Sequence, residues 1–191
     1  SKQSTNSRCI KLVIVGDGQV GKTSLLIRYT KNHFSDTYVP TLLDAFVVNL
    51  TCSDAIHVEL GLWDTAGLEQ YDRLRPLDYV GAHVFLLCFA IDDWKSYENI
   101  EQKWHLELRR YCPDTPIILV GTKLDTRVKD SIDCISQIKG ILLAKEIRAH
   151  SYVETSAQNG WGVKEVFGEA VDSVLDMHKK PRKKFRGCAA M

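Results

Sequence analysis

The chain has 191 residues, of which 45% are apolar and 26% are charged, a composition that suits one soluble globular domain with at most a short tail. Residues 179–186 hold six basic side chains and no acids, so the rest of the chain has a net charge of −5 although the whole chain has +1. This acidic balance argues against nucleic acid as the main partner. The longest apolar run, residues 84–91, is too short for a bilayer span, which needs about 20 residues.

The predicted elements alternate between strands and helices. In chain order, the hydrophobic pattern predicts a strand at 9–15, a helix at 21–31, an antiparallel hairpin from 45–50 and 57–63, a strand at 83–91, a helix at 96–111, a strand at 116–120, a helix at 132–150, a strand at 151–155 and a closing helix at 163–177. In the helix at 132–150, the apolar residues expected on or near one face are Ile135, Ile138, Leu142 and Ile147.

This alternation predicts an α/β fold with a mostly parallel six-stranded sheet covered by helices on both faces. In such sheets, ligands bind beyond the carboxyl ends of the strands. The segments that follow Val15, Trp63, Val120 and Thr155 are therefore the places to search for a site.

The six cysteines are scattered along the chain and form no CxxC pair. Cys88 lies in an apolar strand and is expected in the core. This pattern predicts free thiols in a reducing compartment, not a disulfide framework or a zinc site.

A glycine-rich segment at residues 16–23, Gly-Asp-Gly-Gln-Val-Gly-Lys-Thr, follows the first strand and fits GxxxxGK[ST]. Its glycines let the backbone curl so that N–H groups point at phosphate oxygens, and the following helix adds its N-terminal partial charge. Lys22 can contact the β- and γ-phosphates, and Thr23 can offer a hydroxyl to magnesium. The segment predicts a P-loop NTPase, against the alternative of a glycine-rich turn with a solvated lysine.

Polar residues also follow the second strand of the hairpin. Asp64 is placed where a carboxylate can hold magnesium through water, although an aspartate at a strand end is more often a cap or a turn residue. Gly67 can donate its backbone N–H to a γ-phosphate.

Two further strand ends carry residues suited to a purine base. The carboxylate of Asp125, in Thr-Lys-Leu-Asp at 122–125, can accept from both the N1–H and the exocyclic amine of guanine, a donor pair that adenine lacks. Lys123 can lay its aliphatic stem along the base, while the alternative for the tetrapeptide is a solvated turn. The triplet Thr-Ser-Ala at 155–157 can offer a backbone N–H to the guanine O6 but means little alone.

Taken in order and spacing, the motifs GDGQVGKT, YVPT, WDTAG, TKLD and TSA resemble those of the Ras superfamily. WDTAG, YDRLRPLDY and TKLD, with Thr122 where most of the superfamily has asparagine, resemble the Rho family in particular. The resemblance covers about residues 9–178 as a G domain, between a flexible N-terminus at 1–8 and a basic hypervariable tail at 179–191. It implies a monomeric small GTPase that switches between GTP and GDP with Mg²⁺ and signals to effectors that control actin.

The resemblance also implies residue roles. Thr41 would be the threonine that ligates magnesium and touches the γ-phosphate, against the alternative of an ordinary loop threonine. Tyr38 would close over the phosphates, and Phe34 would pack edge-on against the base. The predicted nucleotide contacts are Gly16, Gly18, Gln19, Val20, Gly21, Lys22, Thr23, Ser24, Phe34, Tyr38, Thr41, Asp64, Gly67, Lys123, Asp125, Ser156 and Ala157, and the predicted metal ligands are Thr23, Thr41 and Asp64.

Two mobile switches follow from the same resemblance, at residues 38–46 and 67–79, which the γ-phosphate would order and its loss would release. They would bind effectors, while exchange factors, GTPase-activating proteins and a prenyl-binding dissociation inhibitor would regulate the chain.

Leu68 departs from the family, which has a glutamine there that orients the attacking water. Leucine offers neither a donor nor an acceptor, so Lys22 and Thr41 would act without that group. An activating protein, worth roughly 10⁵-fold in rate, would lose the glutamine that works beside its arginine. We therefore expect very slow hydrolysis and little response to such a protein. Leu68 is either an engineered substitution that traps the GTP state or a natural divergence.

Two other departures concern partners. Most Rho proteins carry a helical insert between the positions of Asp125 and Thr155, but the 29 residues found here suffice for one loop and the helix at 132–150, so the insert is predicted to be missing. In the effector loop, Leu43 and Phe46 stand where Rho proteins usually have phenylalanine and tyrosine, so the effector preference is not transferred.

The tail ends in Cys-Ala-Ala-Met at 188–191, which fits a prenylation signal at Cys188, with methionine favouring farnesyl. One lipid chain anchors weakly, and the six basic residues would each add about 1 kcal/mol near an anionic leaflet. The tail predicts a location on the cytoplasmic face of the plasma membrane and in the cytosol. The alternatives for the basic run are a nuclear address or simple solubilisation.

Two other functions compete with the Rho-like switch. One is an adaptor that is naturally locked on GTP, which the residue at position 68 of the native gene would separate from an engineered chain. The other is a P-loop kinase that transfers the γ-phosphate to a small substrate. The TKLD segment and the lack of a substrate lid argue against the kinase, and a failure to prefer guanine over adenine would revive it.

Overall fold

A computed structural model describes the protein at residues 7–34, 43–51, 56–65, 74–127 and 133–179. In this part of the chain the strands are β1 (Ser7–Gly16), β2 (Leu43–Thr51), β3 (His57–Thr65), β4 (Val84–Ala90), β5 (Ile117–Thr122) and β6 (Ser151–Glu154). The helices are α1 (Lys22–Lys31), α2 (Trp94–Asn99), α3 (His105–Tyr111), α4 (Gln137–Glu146) and α5 (Val163–Lys179). A π-helical segment, Ile100–Trp104, joins α2 to α3, and short 3₁₀ turns lie at Arg75–Leu77 and Leu124–Thr126.

The six strands form one sheet in the order β2-β3-β1-β4-β5-β6. Strand β2 runs antiparallel to β3, and the other four pairs of neighbouring strands are parallel. The predicted hairpin and the predicted mostly parallel sheet are therefore confirmed, while the turn of the hairpin at 52–55 lies outside the described residues.

Alternate residues of the central strands divide the core into two layers. Leu12 and Ile14 of β1 face a layer that includes Phe167 of α5, whereas Val13 and Val15 face a layer that includes Trp104. Every residue of β4 is buried, because helices cover both faces of the sheet. Cys88 lies in this strand and is fully buried, as the sequence predicted.

The prediction of a helix at 132–150 was wrong at both ends. Helix α4 begins at Gln137, because the side chain of Ser136 caps it by accepting a hydrogen bond from the N–H of Lys139. Ile135 precedes the helix, and its N–H donates to the carbonyl oxygen of Ile91. At the other end, α4 stops at Glu146.

The predicted apolar face of this helix was also only half right. Ile135 and Ile147 are buried, but Ile138 is 70% exposed and Leu142 is 56% exposed. The late start of α4 removes Ile135 from the helical register, and the buried helical positions are Gly140, Leu143 and Ala144. The helix predicted at 96–111 begins earlier, at Trp94, where Asp93 caps it by accepting from Lys95 and Ser96.

None of the helices in these described segments is both long enough and apolar enough to cross a membrane.

Candidate functional site

The carboxyl ends of four strands meet at one edge of the sheet. Ile14 of β1 lies in register with Asp64 of β3, and Gly121 of β5 lies in register with Glu154 of β6. This register places the segments that follow β1, β3, β5 and β6 beside one another, as expected for the ligand edge of a parallel sheet.

The segment after β1, residues 16–23, is the phosphate loop. Its first residue, Gly16, has a φ of 142°, and a side chain there would collide with the carbonyl oxygen of Cys88 on β4. Gln19 and Gly21 also have positive φ values, of 64° and 91°, and Gly21 is the N-cap of α1. Left-handed residues in a tight turn direct backbone N–H groups into a concavity, which is the geometry of an anion-binding nest.

Lys22, the first residue of α1, is 6% exposed, and its Nζ donates to the carbonyl oxygens of Gly16 at 2.9 Å and Asp17 at 2.7 Å. Burial lowers the pKa of the Lys22 ammonium, and the nearby charge of Asp64 partly opposes that shift. Neutral carbonyls compensate a buried cation only in part, so the loop presents a positive group that an anion would stabilise.

Thr23, the last residue of this loop, contacts Asp64 of β3. The Thr23 hydroxyl donates to Oδ2 of Asp64 at 2.5 Å, and Asp64 is fully buried. A hydroxyl and a carboxylate are hard oxygen donors of the kind that Mg²⁺ prefers. The donor set therefore fits the predicted metal, and two of its three predicted protein ligands lie together.

Residues 122–127, which begin at the last residue of β5, are named the base loop after the ligand that the sequence predicts for them. The Ser156 hydroxyl donates to Oδ1 of Asp125 at 2.5 Å and accepts from the N–H of Asn159 at 3.0 Å. Lys123 has a φ of 58°, and its Nζ lies 3.3 Å from Oδ1 of Asp92. The Asp125 carboxylate is thereby held at the edge of the sheet where the phosphate loop also lies.

Thr122 joins the two loops. Its Oγ1 lies 2.5 Å from the carbonyl oxygen of Val20 in the phosphate loop and 3.0 Å from that of Phe89 on β4. The hydroxyl thus ties the base loop and the phosphate loop together in a buried environment.

Comparisons with known proteins agree with this geometry. The sequence model of the Ras family matches residues 11–176. The Rho-related protein racC of Entamoeba histolytica is 46% identical over 184 residues, an alignment that covers 92% of this chain and 94% of that protein. The chain belongs to the Ras family and is a Rho-type small GTPase.

The remaining predicted contacts of the GTPase are distributed as follows. In the phosphate loop and α1, Gly18 and Ser24 are half-buried, Gln19 is exposed and Val20 is buried. Phe34 lies just after α1 and is half-buried, as is Ala157 after β6. Other predictions fall outside the described residues, namely those for Tyr38, Thr41, Gly67, Leu68 and Cys188, together with most of both switches.

Sequence reasoning missed the environment of Asp17 in the phosphate loop of this GTPase. Its Oδ2 accepts from Nδ2 of Asn99 at 2.6 Å, and its Oδ1 accepts from Nε1 of Trp104 at 2.8 Å. In a regular α-helix, residues five apart would lie about 140° apart around the axis. The π-helical segment between them brings both side chains to one face, and a sequence pattern read with a period of 3.6 cannot reveal this.

Proposed function

We propose that this Rho-type GTPase binds GTP and GDP with the phosphates in the phosphate loop and the guanine against the base loop. The observation that carries the proposal is the buried Lys22 ammonium, held by the carbonyl oxygens of Gly16 and Asp17, beside the Thr23–Asp64 pair. Members of the Ras family generally bind GTP, GDP and Mg²⁺. The proposal for this chain assigns those ligands to its own residues.

Each of these residues has a defined task in the bound state. Lys22 would exchange its carbonyl partners for β- and γ-phosphate oxygens, which are stronger acceptors because they are charged. Thr23, Thr41 and Asp64 would hold magnesium, which when bound supplies positive charge to the phosphates. Asp125 would accept from the guanine N1–H and exocyclic amine, and the Ser156 hydroxyl keeps its second oxygen oriented.

Calorimetry with magnesium present tests the nucleotide assignment. We expect GDP and GTP to bind far more tightly than ADP and ATP, because adenine has no donor pair for Asp125. Equal affinity for the two purines would contradict the proposal and would favour the kinase alternative.

We further propose that Leu68 leaves this chain deficient in hydrolysis. A leucine side chain has neither a donor nor an acceptor, so it cannot hold the attacking water in line. The test is single-turnover cleavage of GTP by the chain and by Leu68→Gln, with an activating protein added. We expect the reversion to raise the accelerated rate by several orders of magnitude, toward the roughly 10⁵-fold effect known for such proteins.

A leucine-to-glutamine change at an exposed position outside both switches is a matched control for this experiment. Leu106 of α3 is exposed, so Leu106→Gln adds a glutamine elsewhere on the surface and should leave the slow rate unchanged. Cleavage at a few turnovers per second by the unsubstituted chain would refute the deficiency. If position 68 of the native gene encodes leucine, the chain is a naturally GTP-locked adaptor.

Effector signalling, including control of actin, is part of the proposal. The end of the second switch offers suitable surface, since Leu74 and Leu77 are exposed on a turn whose Arg75 and Tyr79 are buried. Arg75 forms an ion pair with Glu107 of α3, and the Tyr79 hydroxyl donates to Oε1 of the same carboxylate at 2.6 Å. The turn that carries the exposed leucines is therefore fixed to α3. Exposed apolar groups on an anchored turn suit docking of a protein partner. The expected measurement is binding of a purified Rho effector domain that is weakened by Leu77→Ser only in the GTP-loaded chain.

We also propose that the tail places the GTPase on the cytoplasmic face of the plasma membrane through a prenylated Cys188 and six basic residues. Fractionation of cells that express Cys188→Ser tests this. We expect the variant in the cytosol, and its retention on membranes would remove the lipid from the proposal.

A further inference from the structure

Arg127 makes a bidentate ion pair two residues beyond Asp125. Its Nη1 lies 2.6 Å from Oε2 of Glu154, and its Nη2 lies 2.6 Å from Oε1 of the same carboxylate. The side chain of Arg127 is 25% exposed and that of Glu154 only 8%, so water screens this pair less than a surface pair. Two parallel charge-assisted hydrogen bonds fix the guanidinium in orientation as well as in distance.

Glu154 is itself held rigidly at the end of β6. The Tyr152 hydroxyl donates to Oε1 of Glu154 at 2.9 Å, and the Tyr152 ring packs so closely on Gly140 of α4 that any side chain there would collide with it. The hydroxyl also lies against Gly121 of β5. Burial and the neighbouring Glu154 raise the pKa of Tyr152, so the hydroxyl remains a donor at neutral pH. Arg127 therefore binds a carboxylate whose position is also fixed by Tyr152.

The same arginine reaches a third segment of the chain. Its Nη2 donates to the carbonyl oxygen of Ile135 at 2.7 Å, just before α4. Arg127 thus connects the base loop to β6 and to the segment just before α4. No local sequence pattern predicts these contacts.

The base loop depends on these contacts for its position. Between Lys123 and Arg127 its only regular structure is the three-residue 3₁₀ turn Leu124–Thr126, which has little stability of its own. On one side of Asp125, the N–H of Leu124 donates to the carbonyl oxygen of Thr155 at 2.9 Å. On the other side, Arg127 is fastened to Glu154. Asp125 therefore lies between two attachment points, which join the base loop to the consecutive residues Glu154 and Thr155 at the end of β6.

We propose that Arg127 and Glu154 are positioning residues for guanine selection: their ion pair fixes the base loop so that the Asp125 carboxylate meets the exocyclic amine of the base. This inference rests on the proposed function, since it requires Asp125 to read guanine. Recognition of the amine depends on a hydrogen bond whose energy falls steeply with misalignment, so a loosened loop loses this contact before it loses the phosphates.

Inosine diphosphate provides a direct readout, because its base keeps the N1–H and O6 of guanine and lacks only the amine. The measured quantity is the ratio of the Kd for IDP to the Kd for GDP, with magnesium present. We expect a ratio of at least about tenfold in the unsubstituted chain, since one hydrogen bond to a charged group contributes that much. Arg127→Lys and Glu154→Gln should each lower the ratio about fivefold, because neither can form the bidentate pair.

Arg109→Lys is the matched control. Arg109 of α3 also holds loop carbonyls together, with Nη1 donating to Pro113 and Thr115, but it lies away from the base loop. Thermal unfolding of every variant accompanies the binding data. Loss of an arginine clamp should lower the melting temperature in both arginine variants, whereas only Arg127→Lys should change the ratio.

The outcomes separate this inference from the proposed function. If the unsubstituted chain binds GDP no more tightly than IDP and ADP, the assignment of Asp125 fails. If the unsubstituted chain discriminates and Arg127→Lys and Glu154→Gln keep its ratio within twofold, the inference is overturned and the pair is merely structural. Where Glu154→Gln does not fold, Glu154→Asp keeps both charges but is one methylene group too short for the bidentate pair, and an unchanged ratio in that variant likewise overturns the inference.

Discussion

The phosphate loop and the base loop lie side by side and are joined by Thr122, but different interactions hold them. The phosphate loop is shaped by backbone: Gly16 touches the carbonyl oxygen of Cys88, and Val20 and the first turns of α1 pack into the core. The base loop is held by polar side chains at the end of β6 and just after it, namely Glu154 on Arg127 and Ser156 on Asp125. The comparison teaches that the phosphate loop tolerates no added atom at Gly16, whereas the base loop depends on hydrogen-bonding groups supplied by a neighbouring segment.

The largest effect should come from Gly16→Ala, which tests the backbone argument at the phosphate loop. The new Cβ would collide with backbone rather than with a movable side chain, so we expect a loss of more than about 3 kcal/mol in the free energy of unfolding. Gly81→Ala is the control, since Gly81 has a φ of 72° with no atom near its Cβ position and should cost about 1 kcal/mol. Equal losses in urea denaturation would remove the steric explanation.

Lys22→Met tests the positive charge of the phosphate loop. We expect GDP affinity to fall about 100-fold, because charge-assisted hydrogen bonds contribute about 1.5–3 kcal/mol. In the nucleotide-free chain the substitution should instead be favourable and raise the free energy of unfolding. Burial lowers the pKa of Lys22 below its usual 10.5, so the unfolded chain binds more protons between these two values and stability rises with pH across that window.

Urea denaturation of the nucleotide-free chain at several pH values measures this second effect. Lys22→Met should lack the rise, while Lys95→Met at an exposed position should keep it. A rise of the same size in Lys22→Met would show that another group causes it.

Thr122→Val sharpens the comparison at the point where the loops meet. The substitution keeps the shape but leaves the carbonyl oxygens of Val20 and Phe89 without this donor, which should cost about 2 kcal/mol of stability and speed GDP dissociation. Thr122→Ser retains the hydroxyl and should recover most of both losses. Failure of serine to recover them would mean that the methyl group, not the hydrogen bond, joins the loops.

Ser156→Ala tests the polar support of the base loop. Loss of the hydrogen bond to Asp125 should weaken GDP binding by roughly tenfold, the equivalent of about 1.4 kcal/mol. Ser173→Ala removes an equally buried hydroxyl from α5, where it bonds to Ala170, and should leave GDP affinity unchanged in calorimetry. A similar loss of affinity in both variants would assign the effect to general stability.

Trp104→Phe should have the smallest effect on nucleotide binding, about 1 kcal/mol in the free energy of GDP binding. It removes one hydrogen bond to the phosphate loop and keeps an aromatic ring. The ring matters because the guanidinium of Arg75 lies 4.5 Å from its centre, at the end of the second switch. Stopped-flow measurement of GDP release should show a modest acceleration that Trp161→Phe, at an exposed tryptophan, does not share.

Much of the phosphate loop could be predicted from the sequence because its chemistry is local. Gly16, Gly21, Lys22 and Thr23 lie within eight consecutive residues between a strand and a helix, and the structure places them at one end of the sheet. The alternation of elements likewise predicted the sheet, since an apolar strand buried on both faces requires helices on both sides.

The remaining features were decided by tertiary structure. The start of α4 depends on a cap at Ser136 and on the N–H of Ile135 bonding to Ile91, just after β4, so periodicity alone misplaced its apolar face. The clamp of Arg127 on Glu154 and the bonds of Asn99 and Trp104 to Asp17 join residues 27, 82 and 87 positions apart. The sequence by itself predicted the residues that we propose to bind a guanine nucleotide. Only the packed sheet decided what holds them in place, because hydrogen bonds between distant segments form when the core fixes the strand ends beside one another.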